Sequence, residues 1–246
     1  MQFQTDGLVV REMTVGESDR LIWVLTRDRG MIRAFARRAK IYKNSLHAAT
    51  QLLCYGHFKV NESKDRCIIL EGQPIEIFFE LRQDLIRLSL AQYFCELAGI
   101  LAVDGQGAGE ILRLVLNALH FLCKGARPPL ILKAAVELRM LSIAGFMPDL
   151  VACAECGAYT AETMVFFPQE GNLLCGNCHP PAGGIAISAG VLTAMRHIVY
   201  SDFEKLFSFT LGEDSQRQLA RASERYVLAT LSQSLPALDF FHSLNG

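Results

Sequence analysis

Along the first 78 residues apolar positions come in short runs broken by turn residues. Phe3 to Glu12, Arg20 to Thr26 and Met31 to Arg37 are rich in Val, Ile, Leu and Phe, and Gly16 and Asp28-Arg29-Gly30 separate them. Leu52 to Asn61 and Arg66 to Glu71 follow, joined by the polar Glu62-Ser63-Lys64-Asp65. Short β-rich runs with frequent turn signals predict about five strands in a small barrel or sandwich. Five strands in this length suit an oligonucleotide-binding (OB) barrel, although periodicity does not separate that fold from other small β folds. From residue 80 the period changes. Leu81, Leu85, Leu88 and Gln92 to Leu97 recur at helical spacing. Glu110 to Cys123 predicts a second helix, and Leu130 to Ala144 a third, with Pro129 in its first turn and Gly145 just past its end. After a cysteine- and glycine-containing insert at 151–184, Ser188 to Val199 and Ser215 to Leu235 predict two further helices, with Ser188 and Ser215 as N-caps. The helices before and after the insert are expected to pack as one body.

Within that frame, Met31 to Arg38 carries the first chemistry. As a strand it places Ile32, Ala34 and Ala36 on one face, small and apolar enough for a barrel core. Met31, Arg33, Phe35 and Arg37 fall on the other, which interleaves cations with an aromatic ring. Phosphates need positive charge, and bases stack on aromatic or guanidinium planes. Arg38, Lys40 and Lys43 extend the cationic run into the next loop. The alternative is a solvated strand edge with Phe35 packed under a neighbour. Trp23, in a run apolar at every position, is expected in the core.

Charge sharpens this picture. The whole chain carries −1, but residues 1–43 hold nine basic against five acidic residues, +4, which leaves −5 for the remainder. From Arg29 to Lys43 there are six cations and no acid. Such asymmetry points to one positive surface on a mildly acidic body. Hydrophobic residues at 51% and charged residues at 20% allow a sizeable core. No apolar run approaches the ~20 residues of a membrane span, and the polar start Met1 to Asp6 lacks a signal-peptide pattern. The expectation is a cytoplasmic protein.

The strongest local signal is Cys153-Ala-Glu-Cys156 with Cys175-Gly-Asn-Cys178, two residues inside each pair and 18 between them. Two such knuckles supply four thiolates to one cation, a closed tetrahedral shell suited to one structural zinc ion. Disulfides are disfavoured in a cytoplasmic chain. Gly157 and Gly176 follow cysteines where a tight turn benefits from positive φ, Phe166, Phe167 and Leu173 are placed to cover the apolar side, and His179 is a possible competing ligand. Cys54, Cys67, Cys95 and Cys123 stand alone in apolar sequence and are expected to be buried packing residues. Neither pair is preceded by Pro and none of the six histidines begins H-x-E, the zinc deaminase pattern. P-loop, dinucleotide and H-E-x-x-H motifs are also missing. The expectation is a protein that is not an enzyme.

Three segments resemble the RecO family of recombination mediators. They are Gly16-Glu17-Ser18-Asp19-Arg20 through Gly30 with Ala36-Arg37-Arg38-Ala39-Lys40; Glu137-Leu138-Arg139-Met140-Leu141 leading to Gly145-Phe146-Met147-Pro148-Asp149-Leu150; and the two cysteine pairs with Gly157, Phe167 and Leu174. The resemblance covers nearly the whole chain. It implies an α+β fold: an N-terminal five-stranded OB-fold barrel (1–79), then an all-helical domain in two parts (80–150 and 186–246) with an inserted four-cysteine zinc module (151–185). It implies binding of single- and double-stranded DNA, strand annealing, and assistance, with RecR, in loading the recombinase onto strands coated by single-strand-binding protein. RecR and the C-terminal tail of that protein are the implied partners, with the helix from Leu130 to Ala144 a candidate groove for the tail, and the nucleoid the implied place of work. The competing reading is a zinc-containing interaction adaptor without direct DNA binding. The chain departs from the family where Arg38 replaces a common glycine and where Ile41 and Tyr42 replace polar or basic residues; Tyr42 becomes a possible stacking residue.

Overall fold

The structure is a computed structural model that describes residues 1–64, 66–103, 105–178 and 183–244. It has two compact units, Met1–Lys124 with Pro236–Gly246, and Gly125–Leu235.

The first unit is built on a closed five-stranded barrel. Its strands are β1 (Gln2–Val15), β2 (Asp19–Thr26), β3 (Gly30–Ala36), β4 (Cys54–Ser63) and β5 (Arg66–Ile77), with a short helix α1 (Leu46–Ala49) between β3 and β4. The strand order is β1-β2-β3-β5-β4, closed by β1 against β4. All neighbours are antiparallel except β3 and β5, which pair in parallel at Ala34↔Cys67 and Phe35↔Ile68. This is the five-stranded OB arrangement that the family resemblance implied. The long β1 makes closure possible: its first half pairs with β4 and its second half with β2.

Alternation on β3 holds as expected, with Ile32, Ala34 and Ala36 in the barrel core alongside Val9, Ile22, Val24, Phe58 and Val60. The Phe58 ring is wholly buried in this core. Two further helices, α2 (Leu85–Leu101) and α3 (Gly109–Lys124), follow a 3-10 turn at Phe79–Gln83. Leu81 therefore belongs to that turn, and Asp84 starts α2 by accepting a hydrogen bond from Arg87 N at 3.1 Å. The last helix, α7 (Pro236–Ser243), packs on α2, where the half-buried Glu96 carboxylate accepts from Ala237 N at 3.1 Å.

The second unit holds α4 (Pro129–Ile143), a small sheet β6 (Met164–Phe167), β7 (Asn172–Cys175) and β8 (Ile185–Ile187) in the order β7-β6-β8, then α5 (Ala189–Tyr200) and α6 (Glu213–Leu231). Helices α4, α5 and α6 pack on one another. Ser188 caps α5 through Val191 N, as its position predicts. Ser215 does not cap α6: the helix starts earlier, with Gly212 as N-cap and the acidic Glu213 and Asp214 in its first turn. Carboxylates near the exposed N–H groups complement the helix dipole, which makes a side-chain cap dispensable.

Helix α4 is buried or half-buried at every position. Its two polar buried residues explain part of the Glu137–Leu141 segment. Lys133 Nζ lies 2.7 Å from Glu137 Oε1 and 2.8 Å from Glu224 Oε2, and Ser223 Oγ donates to Glu137 Oε2. Lys133 and Glu137 are essentially inaccessible to solvent. Two residues on, Arg139 donates to Val199 O and Ser201 O, holding the C-terminal end of α5. Removing one partner of a buried pair strands the other charge. Glu137→Ala is expected to destabilise the protein by about 3–5 kcal/mol in a denaturant melt, whereas Arg217→Ala, at an exposed and solvent-screened pair on α6, is expected to leave the melt nearly unchanged.

Candidate metal centre and nucleic-acid interface

In the second unit the sulfur atoms of Cys153, Cys156, Cys175 and Cys178 all lie within 4.8 Å of one another. Cys156 and Cys175 are 3.7 Å apart, close to the roughly 3.8 Å edge of a tetrahedron with metal–sulfur bonds near 2.3 Å. Strand β7 ends on Cys175, and pairing of Met164 with Cys175 fixes it against β6. Cys153 forms a bridge to Leu173 and accepts a hydrogen bond from Cys175 N at 3.3 Å. The first knuckle closes with Gly157 N donating to Cys153 O at 2.9 Å, and Gly157 takes the left-handed φ of 72° expected there. Gly176 does not take a positive φ. A Cβ there would sit tightly, 3.3 Å from Thr163 Cβ, and the Gly176 N–H donates to Thr163 O at 2.9 Å. Phe166 and Leu173 are buried and Phe167 is half-buried; Phe166 packs edge-on to Tyr226 of α6 at 5.7 Å. His179 lies outside the described residues, as does Asp65 of the β4–β5 turn.

The electrostatics fit a cation. Backbone N–H groups, that of Cys156 foremost, pull the Cys153 thiol down to about 6. Hydrogen bonding with Cys156 and then Cys175 pushes Cys178 up. Four adjacent sulfurs cannot all ionise unaided, and a divalent cation removes that conflict. The solitary cysteines differ. Cys54 and Cys95 are buried, as expected, and burial raises their thiols to about 11 and about 12. Cys67 and Cys123 are only half-buried.

In the first unit, the outer face of β1-β2-β3 carries a cross-strand row. Arg11 is opposite Trp23, and Trp23 is opposite Arg33. Both guanidinium groups approach the indole, at 4.7 Å for Arg11 and 5.3 Å for Arg33. Trp23 is therefore not a core residue. It is half-buried on the outside, between two cations, while Ile22 and Val24 fill the inside. A register shift creates the row: Val9 pairs with Val24 and Arg11 with Trp23, which leaves Val10 as the extra residue of a bulge. Val9 faces the core, so simple alternation would turn Arg11 inward; the bulge returns it to the outer face. In the next row Phe35, half-buried, sits between Leu21 of β2 and Ile68 of β5.

The loop after β3 continues this face. Arg37, Arg38, Lys40 and Lys43 are exposed, and none makes an ion pair among the described residues. Ala39 is buried beneath them. Tyr42 is 86% exposed, with its ring edge-on to His47 at 5.7 Å. Arg38 occupies the left-handed region at φ 53°, held by its N–H bond to Asp19 Oδ1 at 2.7 Å. The turn thus keeps a glycine-like conformation without glycine. Arg38→Gly is expected to raise stability by roughly 1 kcal/mol, read as a shifted denaturation midpoint at unchanged slope. No described helix is long and apolar enough to cross a membrane.

These features define a class: an OB barrel with a cationic, aromatic outer face, joined in one chain to a helical unit with a four-cysteine knuckle. Residues 1–78 match the family description "Recombination protein O N terminal", and residues 82–239 match "Recombination protein O C terminal". The chain belongs to the recombination protein O family, whose members are named for DNA repair. It is similar to DNA repair protein RecO of Acetivibrio thermocellus, at 34% identity over 98% of this chain and 97% of the relative. The corresponding protein of Symbiobacterium thermophilum is 30% identical over 99% and 98%, and that of Dehalococcoides mccartyi strain CBDB1 is 30% identical over 96% and 95%.

Proposed function

We propose that this protein is a non-catalytic mediator of DNA repair and homologous recombination that binds single- and double-stranded DNA on the outer face of its barrel. The observation that carries this reading is the Arg11–Trp23–Arg33 row, continued by Phe35 and by the exposed cations Arg37, Arg38, Lys40 and Lys43. Cations on one face neutralise phosphates, and the aromatic rings beside them offer stacking surfaces that tolerate any base. Binding that reads backbone more than sequence suits strand annealing. With RecR as partner, and with the C-terminal tail of single-strand-binding protein as a second contact, the protein assists recombinase loading onto coated strands, in the cytoplasm at the nucleoid.

The four-cysteine knuckle holds one structural zinc. Four sulfur ligands leave no open position for water or substrate, and the ion's role is to tie the ends of a loop that has only a three-stranded sheet of its own. The reading is tested by titrating a labelled single strand with the protein at increasing salt. Tight binding at low salt that weakens linearly in log–log form supports it, and salt-independent binding or none contradicts it.

A further inference from the structure

Among the described residues, strands β3 and β5 pair at two positions, Ala34↔Cys67 and Phe35↔Ile68. On the N-terminal side of that contact the barrel wall opens into a cavity of about 490 Å³. Met31, Ile32 and Cys67 give it apolar walls, and Asp28, Arg29, Arg33 and Glu62 give it polar ones. Its shape is held from several sides. Arg29 lies 3.9 Å over the Phe3 ring and 3.1 Å from Glu62 Oε2. Its carbonyl accepts from Gly105 N at 3.1 Å. Gly30 admits this close approach, because a Cβ there would lie 2.0 Å from Val103 O.

Three groups in the cavity lack a polar partner among the described residues: the Asp28 carboxylate, the second oxygen of Glu62, and the Arg33 guanidinium, whose only contact of this kind is with the Trp23 ring. An apolar slot with unpaired acceptors and an unpaired planar donor matches a flat ring that presents both kinds of edge. Guanine does so. Its O6 and N7 accept from a guanidinium in bidentate fashion, and its N1–H and N2–H₂ donate to carboxylates. Arg33 belongs both to this cavity and to the Trp23 row, so the slot adjoins the face assigned to the strand.

We propose that the cavity between β3 and β5 receives a single guanine base turned out of a DNA strand bound on the barrel's outer face. The inference rests on the DNA-binding reading above and adds to it a base preference at one position.

The test uses the full chain and short oligothymidylates in which one central thymine is replaced by guanine, 7-deazaguanine or hypoxanthine, read by fluorescence anisotropy. Guanine should tighten binding by about fivefold or more. The 7-deaza base lacks N7 and hypoxanthine lacks the exocyclic amine, so each should lose most of that gain. Asp28→Asn, at an exposed hairpin position, should reduce the ratio of guanine-strand to oligothymidylate affinity, while oligothymidylate affinity itself does not fall, since the change removes a negative charge near the strand. A second readout uses the native thiol: a strand whose guanine carries a disulfide tether at N2 should cross-link to Cys67, and Cys67→Ser should abolish the adduct. Burial raises the Cys67 thiol above its ordinary value, so the exchange needs mildly alkaline buffer. Equal, salt-sensitive affinity for all four strands would overturn the pocket and leave the DNA-binding face standing. Binding to none of them would overturn both. Free deoxyguanosine monophosphate binding as tightly as the guanine strand would make this a nucleotide site and overturn the strand-borne base.

Discussion

Cys175→Ser is expected to release the zinc and unfold the knuckle. The wild type should contain about one zinc per chain by elemental analysis, and the variant close to none. The effect is large because the substitution removes one of the four clustered sulfurs that would hold the ion, at the end of β7 where the two knuckles meet. Structural zinc in small knuckles contributes on the order of 10 kcal/mol of apparent binding energy near neutral pH. Here that energy would hold a segment whose own sheet has strands of only three or four residues. Limited proteolysis should therefore cut between 151 and 178 in the variant and leave the wild type intact there. Acid should act in the same direction. The thiolates that bind metal are proton acceptors, so occupancy falls as pH falls and protons displace the ion. A well-folded, metal-free wild type would contradict this account of the knuckle.

Arg37, Arg38 and Lys40 replaced together by alanine should weaken DNA binding without unfolding the barrel. The three side chains are exposed and make no ion pair among the described residues, so the fold depends little on them. Each phosphate contact removed releases about one counterion fewer, and the plot of log affinity against log salt should flatten by about two to three. A fourfold rise in salt then costs the variant roughly 15–60-fold less affinity than it costs the parent. Loss should be similar for unrelated sequences, because phosphates carry no base identity. A variant with the parent's salt slope would place the phosphates elsewhere.

The five strands and most helices were legible because their periods are clean. Ile32, Ala34 and Ala36 alternate with larger or charged residues, and that alternation alone assigns the core face of β3. Trp23 was not legible in the same way. Leu21 to Leu25 is apolar throughout, which reads as a strand covered on both faces. Leu21 and Leu25 are indeed buried, but Trp23 between them is flanked by arginines from both neighbouring strands. That placement depends on the register of three strands and on a one-residue bulge at Val10, and neither leaves a mark in local periodicity. The four cysteines were legible from spacing, whereas β6, β7 and β8 are too short to show a period. Helix α7 was missed: the predicted helix stops at Leu235, just before it, and overruns the true end of α6 at Leu231, since Ser232, at φ 50°, ends α6 in a left-handed conformation that sequence does not announce. The Lys133–Glu137–Glu224 cluster is half visible: Lys133 and Glu137 have the four-residue spacing of a helical pair, while Glu224 comes from a distant helix.

Trp23 is the only tryptophan of the chain, so its emission reports directly on the proposed binding face. Titrating the wild type with single-stranded oligonucleotide at low salt should change that emission saturably, with the same midpoint as a mobility shift, and added salt should restore it. Arg11→Ala and Arg33→Ala should each weaken the titration. A strand that binds by mobility shift while Trp23 emission stays unchanged at saturation would contradict binding on the outer face of β1-β2-β3.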